Sequence, residues 1–377
     1  MQLSVIIVSY NAKHFLQLCL QSVVKAIKNI DAEIIVIDNH STDGTCEMLY
    51  SEFPDVKLIA NKENLGFSNA NNTGVLEAKG DYVLILNPDT VVAEDTFTDC
   101  LDFAKTQKNL GALGVKLVDG TGRFLPESKR NFPTPLVTLF KMFGLKSKKH
   151  AYYANHIDKN SCGNVAILVG AFMFLKRETY LAVEGFDTDY FMYGEDIDLS
   201  YKLTKAGYQN YYLGTSSIIH FKGESTKKNV KYLKYFYKAM FIFYKKHLKQ
   251  NLLFELFLKL GMTFWFVMKF FQIKFRTSKR SKNNKAIYLG NSDVVFNKIK
   301  NHYKELSITK ITSSANLTND SYGLLFIDLA TMSFKKCIQI IEKHKSIEHF
   351  FRFILPNAAV VIGSDSASDK GEITLLI

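Results

Sequence analysis

Short apolar runs alternate with helix-spaced apolar positions over residues 1–90. Leu3–Val8 is a β-branched run that predicts a strand. Phe15, Cys19, Val23 and Ile27 follow at intervals of four, the spacing of one helix face, with Asn11 placed to cap that helix. Glu33–Ile37 predicts the next strand, and a helix is expected from Thr45 to Phe53. Val56–Ala60 reads as a strand, Ser68–Ala78 as a helix and Asp81–Leu86 as a further strand. The order is βαβαβαβ. The strands are continuous apolar runs and do not alternate, which is the pattern of a parallel sheet covered on both faces. Ligands of such sheets sit outside the carboxyl ends of the strands. Asp38 and Asp89 each follow a strand, so both are expected to face one crevice.

The pattern weakens from Asp119 to Asn164, where glycines, prolines such as Pro126 and scattered basic residues predict a long, partly mobile insertion on the acceptor side. Val165–Leu175 is apolar enough for a strand. Glu195–Ala206 reads as a helix with Leu199, Leu203 and Ala206 inward and Gly207 at its C-cap. Residues 231–275 are helical in pattern, aromatic and basic, and 276–284 form a basic linker. From 285 to 377 the alternation resumes: strands at Lys285–Leu289, Leu324–Ile327, Phe350–Leu355 and Ala358–Ile362, helices near Val294–Tyr303 and Phe334–Lys345. This predicts a small, separate α/β domain. No repeat and no low-complexity segment is present.

Composition narrows the class. A length of 377 residues suggests two domains. With 47% hydrophobic and 22% charged residues the chain is globular, which excludes extensive disorder. The net charge of +12 suits nucleic acid, anionic lipid or phosphorylated small molecules. Its basic residues concentrate after Lys129, and most of all between Lys222 and Lys285. The five cysteines are an odd number without CxxC or zinc-like spacing, so they are expected to be reduced apolar fillers. No basic leader with a small-residue cleavage site precedes Leu3, and the expected location is the cytoplasm.

Three acidic groups and one histidine carry candidate chemistry. Asp38, in IDNHSTDGT, stands at a strand end, where a carboxylate can accept the imide N–H of a pyrimidine or simply close an Asx turn. Asp89, in NPDT, suits a hard divalent cation shared with substrate phosphates, and equally suits the β-turn that Pro88-Asp89 favours. Glu195, Asp196 and Asp198, in GEDIDLS, crowd the first turn of a helix. The helix dipole stabilises carboxylates there, and a general base for an acceptor hydroxyl belongs in such a cluster. Asp196 is the choice for the base. Glu195 and Asp198 are candidates for acceptor contacts. His220, in IIHFKGES, can ligate a metal or be structural, and Lys222 and Ser225 beside it can contact phosphate.

Taken in order, these segments resemble glycosyltransferase family 2, and within it the rhamnosyltransferase-like group. The resemblance runs through Ser4–Asn11, IDNHSTDGT, Asn61–Gly74, LILNPDT, Gly170–Tyr208 and IIHFKGES, roughly the first 230 residues. It implies a GT-A-type nucleotide-sugar fold and an inverting, single-displacement transfer within a catalytic domain of residues 1–230. It implies that Asp38 reads the base and that Ser9, Asn11, Asn64, Gly66, Asn72 and Asn87 line the nucleotide site. Asp89 and His220 would hold Mg2+ or Mn2+, Lys222 and Ser225 would face the diphosphate, and Asp196 would be the catalytic base. The DxD-like motif has Asn87 where many relatives have Asp, so Asp89 is its one carboxylate.

The expected donor is a dTDP- or UDP-sugar and the expected acceptor a glycan or lipid-linked hydroxyl. Leu252–Phe271 is the most apolar stretch, but Glu255, Lys259 and Lys269 interrupt it, and a span needs about 20 apolar residues. Together with the Lys, Tyr and Phe of Tyr232–His247 it predicts a segment lying on an anionic membrane surface, which places the protein peripherally on the inner face. No nucleic-acid partner is expected. The turn Ser9-Tyr10-Asn11-Ala12-Lys13 lacks the glycines of a nicotinamide-dependent oxidoreductase or a sugar nucleotidyltransferase. A non-catalytic, membrane-associated carbohydrate- or nucleotide-binding protein remains the alternative.

Overall fold

The computed structural model describes residues 1–134, 137, 151–222, 230–247, 261, 284–317, 322–356, 360–366 and 371–376. Nine strands build the larger sheet: β1 (Leu3–Ser9), β2 (Ala32–Asp38), β3 (Lys57–Ala60), β4 (Tyr82–Leu86), β5 (Thr90–Val91), β6 (Leu110–Val118), β7 (Cys162–Asn164), β8 (Phe172–Lys176) and β9 (Gln209–His220). Their order is β3-β2-β1-β4-β8-β6-β9-β5, with β7 paired to β9. The first four in this order are mutually parallel. β8 runs antiparallel to both β4 and β6, so β6 and its parallel partner β9 point the same way as β4.

Helices cover both faces, as continuous apolar strands require. On one side α1 (Lys13–Ala26), α2 (Thr45–Glu52) and α4 (Thr96–Thr106) bury Leu16, Met48 and Phe97 against the sheet. On the other, α3 (Gly66–Glu77), α5 (Arg177–Ala182) and α6 (Glu195–Lys205) bury Val75, Tyr180 and Leu199. The expected α/β class with a mostly parallel sheet is therefore the observed one.

Several local expectations change. Asn11 does not cap α1. It takes φ 52°, and its side-chain oxygen accepts the Thr42 N–H at 2.8 Å, which ties the first loop to the second. Val165–Gly170 is not part of the expected strand. Ile167 makes one bridge to Arg130, and the regular strand starts at Phe172. The described part of the Asp119–Asn164 insertion is tied together by Arg130, which bridges both Tyr153 and Ile167, and joins the sheet where β7 pairs with β9. Most of the stretch between Thr134 and Ala151 lies outside the described residues. Gly207, at φ 90°, ends α6 as expected.

α7 (Val230–His247) lies across α6. Ala239, Phe243 and Tyr244 pack on Tyr190, Phe132 and Tyr201. Among the described residues no helix is long and apolar enough to cross a membrane. Residues 252–260 and 262–271 of the apolar stretch lie outside them.

The C-terminal unit has its own sheet, in the order β11-β10-β12-β13-β14-β15. Its strands are β10 (Lys285–Leu289), β11 (Ser307–Ile311), β12 (Leu324–Asp328), β13 (Phe350–Ile354), β14 (Val360–Gly363) and β15 (Glu372–Leu375), with helices α8 (Asp293–His302) and α9 (Phe334–Lys343). It is less separate than its sequence suggests. Phe15, Val91 and Phe221 of the larger unit share one apolar cluster with Ile338, Phe353 and Ile362 of the smaller one.

Candidate active site at the carboxyl end of the sheet

Strand register gathers the candidate residues. Ser9 pairs with Asp38 at the ends of β1 and β2, and Ile7 with Leu86 where β4 ends. One residue further, the Asn87 N–H donates to the Ala171 carbonyl, and the neighbouring Gly170 N–H donates to Asp196 Oδ2 at 3.1 Å. At the far end Thr90 pairs with His220. Asp38, Asn87, Asp196 and the Asp89–His220 pair thus all lie at the carboxyl end of the sheet. β2 and β4 flank β1 there, which makes the crevice between them a topological switch point.

Asp38 is buried. Its Oδ2 accepts the Ser41 N–H at 2.8 Å, while its Oδ1 and the Ser9 hydroxyl are buried without a hydrogen-bond partner. Asn64 Oδ1 accepts the Gly66 N–H at 3.0 Å. Gly66, at φ 82°, cannot carry a side chain because a Cβ would meet the Phe191 carbonyl oxygen at 2.6 Å. Asn72 is engaged elsewhere. Its side-chain oxygen accepts from the Tyr180 hydroxyl and the Phe186 N–H, and its Nδ2 donates to the Phe186 carbonyl. These contacts bind α3 to the 186–191 turn and leave that oxygen no capacity for a nucleotide.

Asp89 and His220 approach each other at the β5–β9 pairing, with Nε2 3.3 Å from Oδ1 but not in hydrogen-bond geometry. Asp89 Oδ1, His220 Nδ1 and Asn87 Oδ1 are all buried and unbonded, a costly arrangement unless a ligand meets them. Among the described residues no third His, Cys, Asp or Glu joins the pair. Two protein donors fit Mg2+ or Mn2+ when diphosphate oxygens complete the shell. Lys222 is ion-paired with Glu127. Burial alone would raise the Glu127 carboxyl, but Lys222 and then His220 outweigh it and hold it below its ordinary value. Ser225 lies outside the described residues.

The acidic turn opens with two left-handed residues, Tyr193 at φ 70° and Gly194 at φ 83°. A Cβ on Gly194 would press on Ala239 of α7 at 3.1 Å. The three acids that follow have different surroundings. Asp196 Oδ2 accepts from Arg130 at 2.6 Å as well as from the Gly170 N–H, and its Oδ1 accepts the Ile197 N–H. Burial disfavours charge on Arg130, yet Asp196 beside it more than compensates and keeps the guanidinium charged. Glu195 has no such partner. Its Oε2 is buried and unbonded, and burial, then the Asp196 charge, push its carboxyl up to about 8. Asp198 is 0% exposed, which removes it from the acceptor contacts expected of it. Its Oδ1 takes the Tyr190 hydroxyl at 3.3 Å and lies 2.5 Å from His247 Nε2, so it anchors α7. Arg130 is the site residue that sequence reasoning missed. Its only signal was a basic residue in a poorly patterned segment.

Residues 4–181 match the sequence family described as Glycosyl transferase family 2. The chain is similar to the N-acetylglucosaminyl-diphospho-decaprenol L-rhamnosyltransferase of Mycobacterium tuberculosis, 29% identical over 258 residues that cover 64% of this chain and 83% of that one. It is also similar to the poly-beta-1,6-N-acetyl-D-glucosamine synthase of Staphylococcus aureus, 30% identical over 202 residues, 53% of this chain and 45% of the synthase. A solved mannosyltransferase from Pyrobaculum calidifontis, in complex with GDP-Man and Mn2+, is 19% identical at a TM-score of 0.46, covering 74% of this chain and 76% of that one.

Proposed function

From the premise that residues 4–181 form a glycosyl transferase family 2 domain, we propose that this chain moves a sugar from a nucleotide-diphosphate sugar to a hydroxyl of a glycan or lipid-linked acceptor, with inversion and with help from a divalent metal. The observation that carries the reading is that Asp38, Asp196 and the Asp89–His220 pair all lie at the carboxyl end of one sheet. The relatives' names make rhamnose the first sugar to test and N-acetylglucosamine the second, carried on dTDP and UDP as the sequence resemblance implies.

The free Oδ1 of Asp38 suits the imide N–H of a pyrimidine, with Ser9, Asn11, Asn64, Gly66 and Asn87 around the nucleotide. Asp89 and His220 would hold Mg2+ or Mn2+, which when bound neutralises charge on the departing diphosphate. Lys222 and Ser225 are assigned to the same diphosphate. Asp196 takes the proton of the acceptor hydroxyl as that oxygen attacks the anomeric carbon opposite the diphosphate. Arg130 and the Gly170 N–H hold its carboxylate in one orientation beforehand. A second reading gives the proton to Glu195, favoured by its unbonded oxygen and raised proton affinity. The helical segment from Val230 is assigned to an anionic membrane surface at the inner face, which fits a lipid-linked acceptor.

Titration calorimetry of dTDP- and UDP-sugars with and without Mn2+, followed by a transfer assay, tests the proposal. Asp89→Ala is expected to lose the metal-dependent part of binding. Asp196→Asn is expected to keep binding and lose turnover by about a hundredfold to ten-thousandfold. Absence of nucleotide binding in both conditions overturns the proposal. Full turnover in Asp196→Asn moves the base to Glu195.

A further inference from the structure

We propose that the C-terminal unit, residues 285–377, is a positioning element for the Asp89–His220 edge, acting through Phe221; this rests on the function proposed above. Phe221 directly follows His220 and donates its backbone N–H to the Asp89 carbonyl at 3.0 Å. One residue therefore fixes the relative placement of both candidate ligands. Its ring is fully buried between the units, 5.1 Å from Phe15 and 5.8 Å from Phe353 of β13. Gly120 leaves the room this needs, because a Cβ there would sit 3.0 Å from the Phe221 ring and 3.2 Å from Ser364.

The other strand of the pair is held by the same unit. β5 leads into Glu94, whose two carboxylate oxygens accept the Phe334 and Lys335 N–H groups at 2.7 and 2.9 Å. These are the first N–H groups of α9, and Ser333 takes the N–H of Lys336. Glu94 of one unit thus completes the N-terminus of a helix in the other. Lys116 adds a largely buried ion pair with Glu342 at 2.5 Å. β5 is only two residues long and pairs with β9 alone, so it has little rigidity of its own. A shift of about 1 Å in such a pair is enough to cost a hundredfold in a reaction. The docked unit supplies the rigidity that the short strand lacks.

The test uses the full chain, with dTDP and UDP as probes and Mn2+ present or absent. Phe353→Leu keeps an apolar side chain but removes the ring contact, and Glu94→Ala removes the two hydrogen bonds at the N-terminus of α9 without touching the core. Both variants are expected to keep metal-free nucleotide binding and to lose about tenfold in the Mn2+-dependent part. Variants that are less stable yet bind as the wild type does in both conditions would overturn the inference. If Phe353→Leu does not fold, Glu94→Ala alone decides. Failure of the wild-type chain to bind either nucleotide overturns the proposed function and this inference with it, a result distinct from normal binding by the variants.

Discussion

Glu195 and Asp196 are chain neighbours that the fold equips for different work. Asp196 shares its charge with Arg130, whereas Glu195 is buried beside that charge with one oxygen unbonded. Burial and the Asp196 carboxylate raise Glu195 from 4.5 to about 8. Between those values the folded protein holds a proton that the unfolded chain releases. This contribution to stability is complete below the lower value and is lost as pH rises through the upper one. Denaturant midpoints of the wild type should therefore fall between about pH 5 and about pH 9, and Glu195→Gln should fall less. Parallel declines in the two proteins would show that Glu195 is not the group concerned. The acids at 195, 196 and 198 were legible in the sequence as a cluster. Their division of labour was not, because it depends on Arg130, 66 residues away along the chain from Asp196.

At the scale of elements, α7 is the piece whose pattern admitted two partners. Its inner positions Ala239, Phe243 and Tyr244 pack on the acidic turn, and its end is fixed by His247 against Asp198. Removing His247 takes away one of three partners of the buried Asp198, which keeps the Tyr190 hydroxyl and has Lys202 at 3.6 Å, so the cost is about 1–3 kcal/mol. His247→Ala should lower stability by an amount of that order, and Asp198→Asn added to it should restore a part. Two losses that simply add in chemical denaturation would show that the residues act independently. Apolar periodicity identified the strands from Leu3 to Leu86 well, since β1, β2 and β4 are continuous runs that are almost wholly buried and β3, though half-buried to exposed, keeps an apolar centre. It missed β6, although that strand is fully buried, and also β11 and β15, whose residues are mostly half-buried or exposed and carry a weaker pattern.

For the whole molecule, the inward face of α7 leaves Lys234, Lys238 and Lys245 exposed. Lysines near an anionic bilayer contribute about 1 kcal/mol each. Lys234→Glu, Lys238→Glu and Lys245→Glu together should sharply reduce co-sedimentation with vesicles of anionic lipid and leave nucleotide binding unchanged. Equal sedimentation of wild type and variant would remove α7 from any membrane contact.

The sequence by itself determined the α/β class, the place of the acids at strand ends and the family resemblance, because these follow from local periodicity and short motifs. Only the tertiary structure decided that Asn72 and Asp198 are spent on the fold, that Arg130 reaches Asp196, and that the C-terminal unit shares a core with the rest. Each of those is a contact between residues far apart in the chain. Which buried polar atom meets which partner is set by packing, and local pattern carries no record of it.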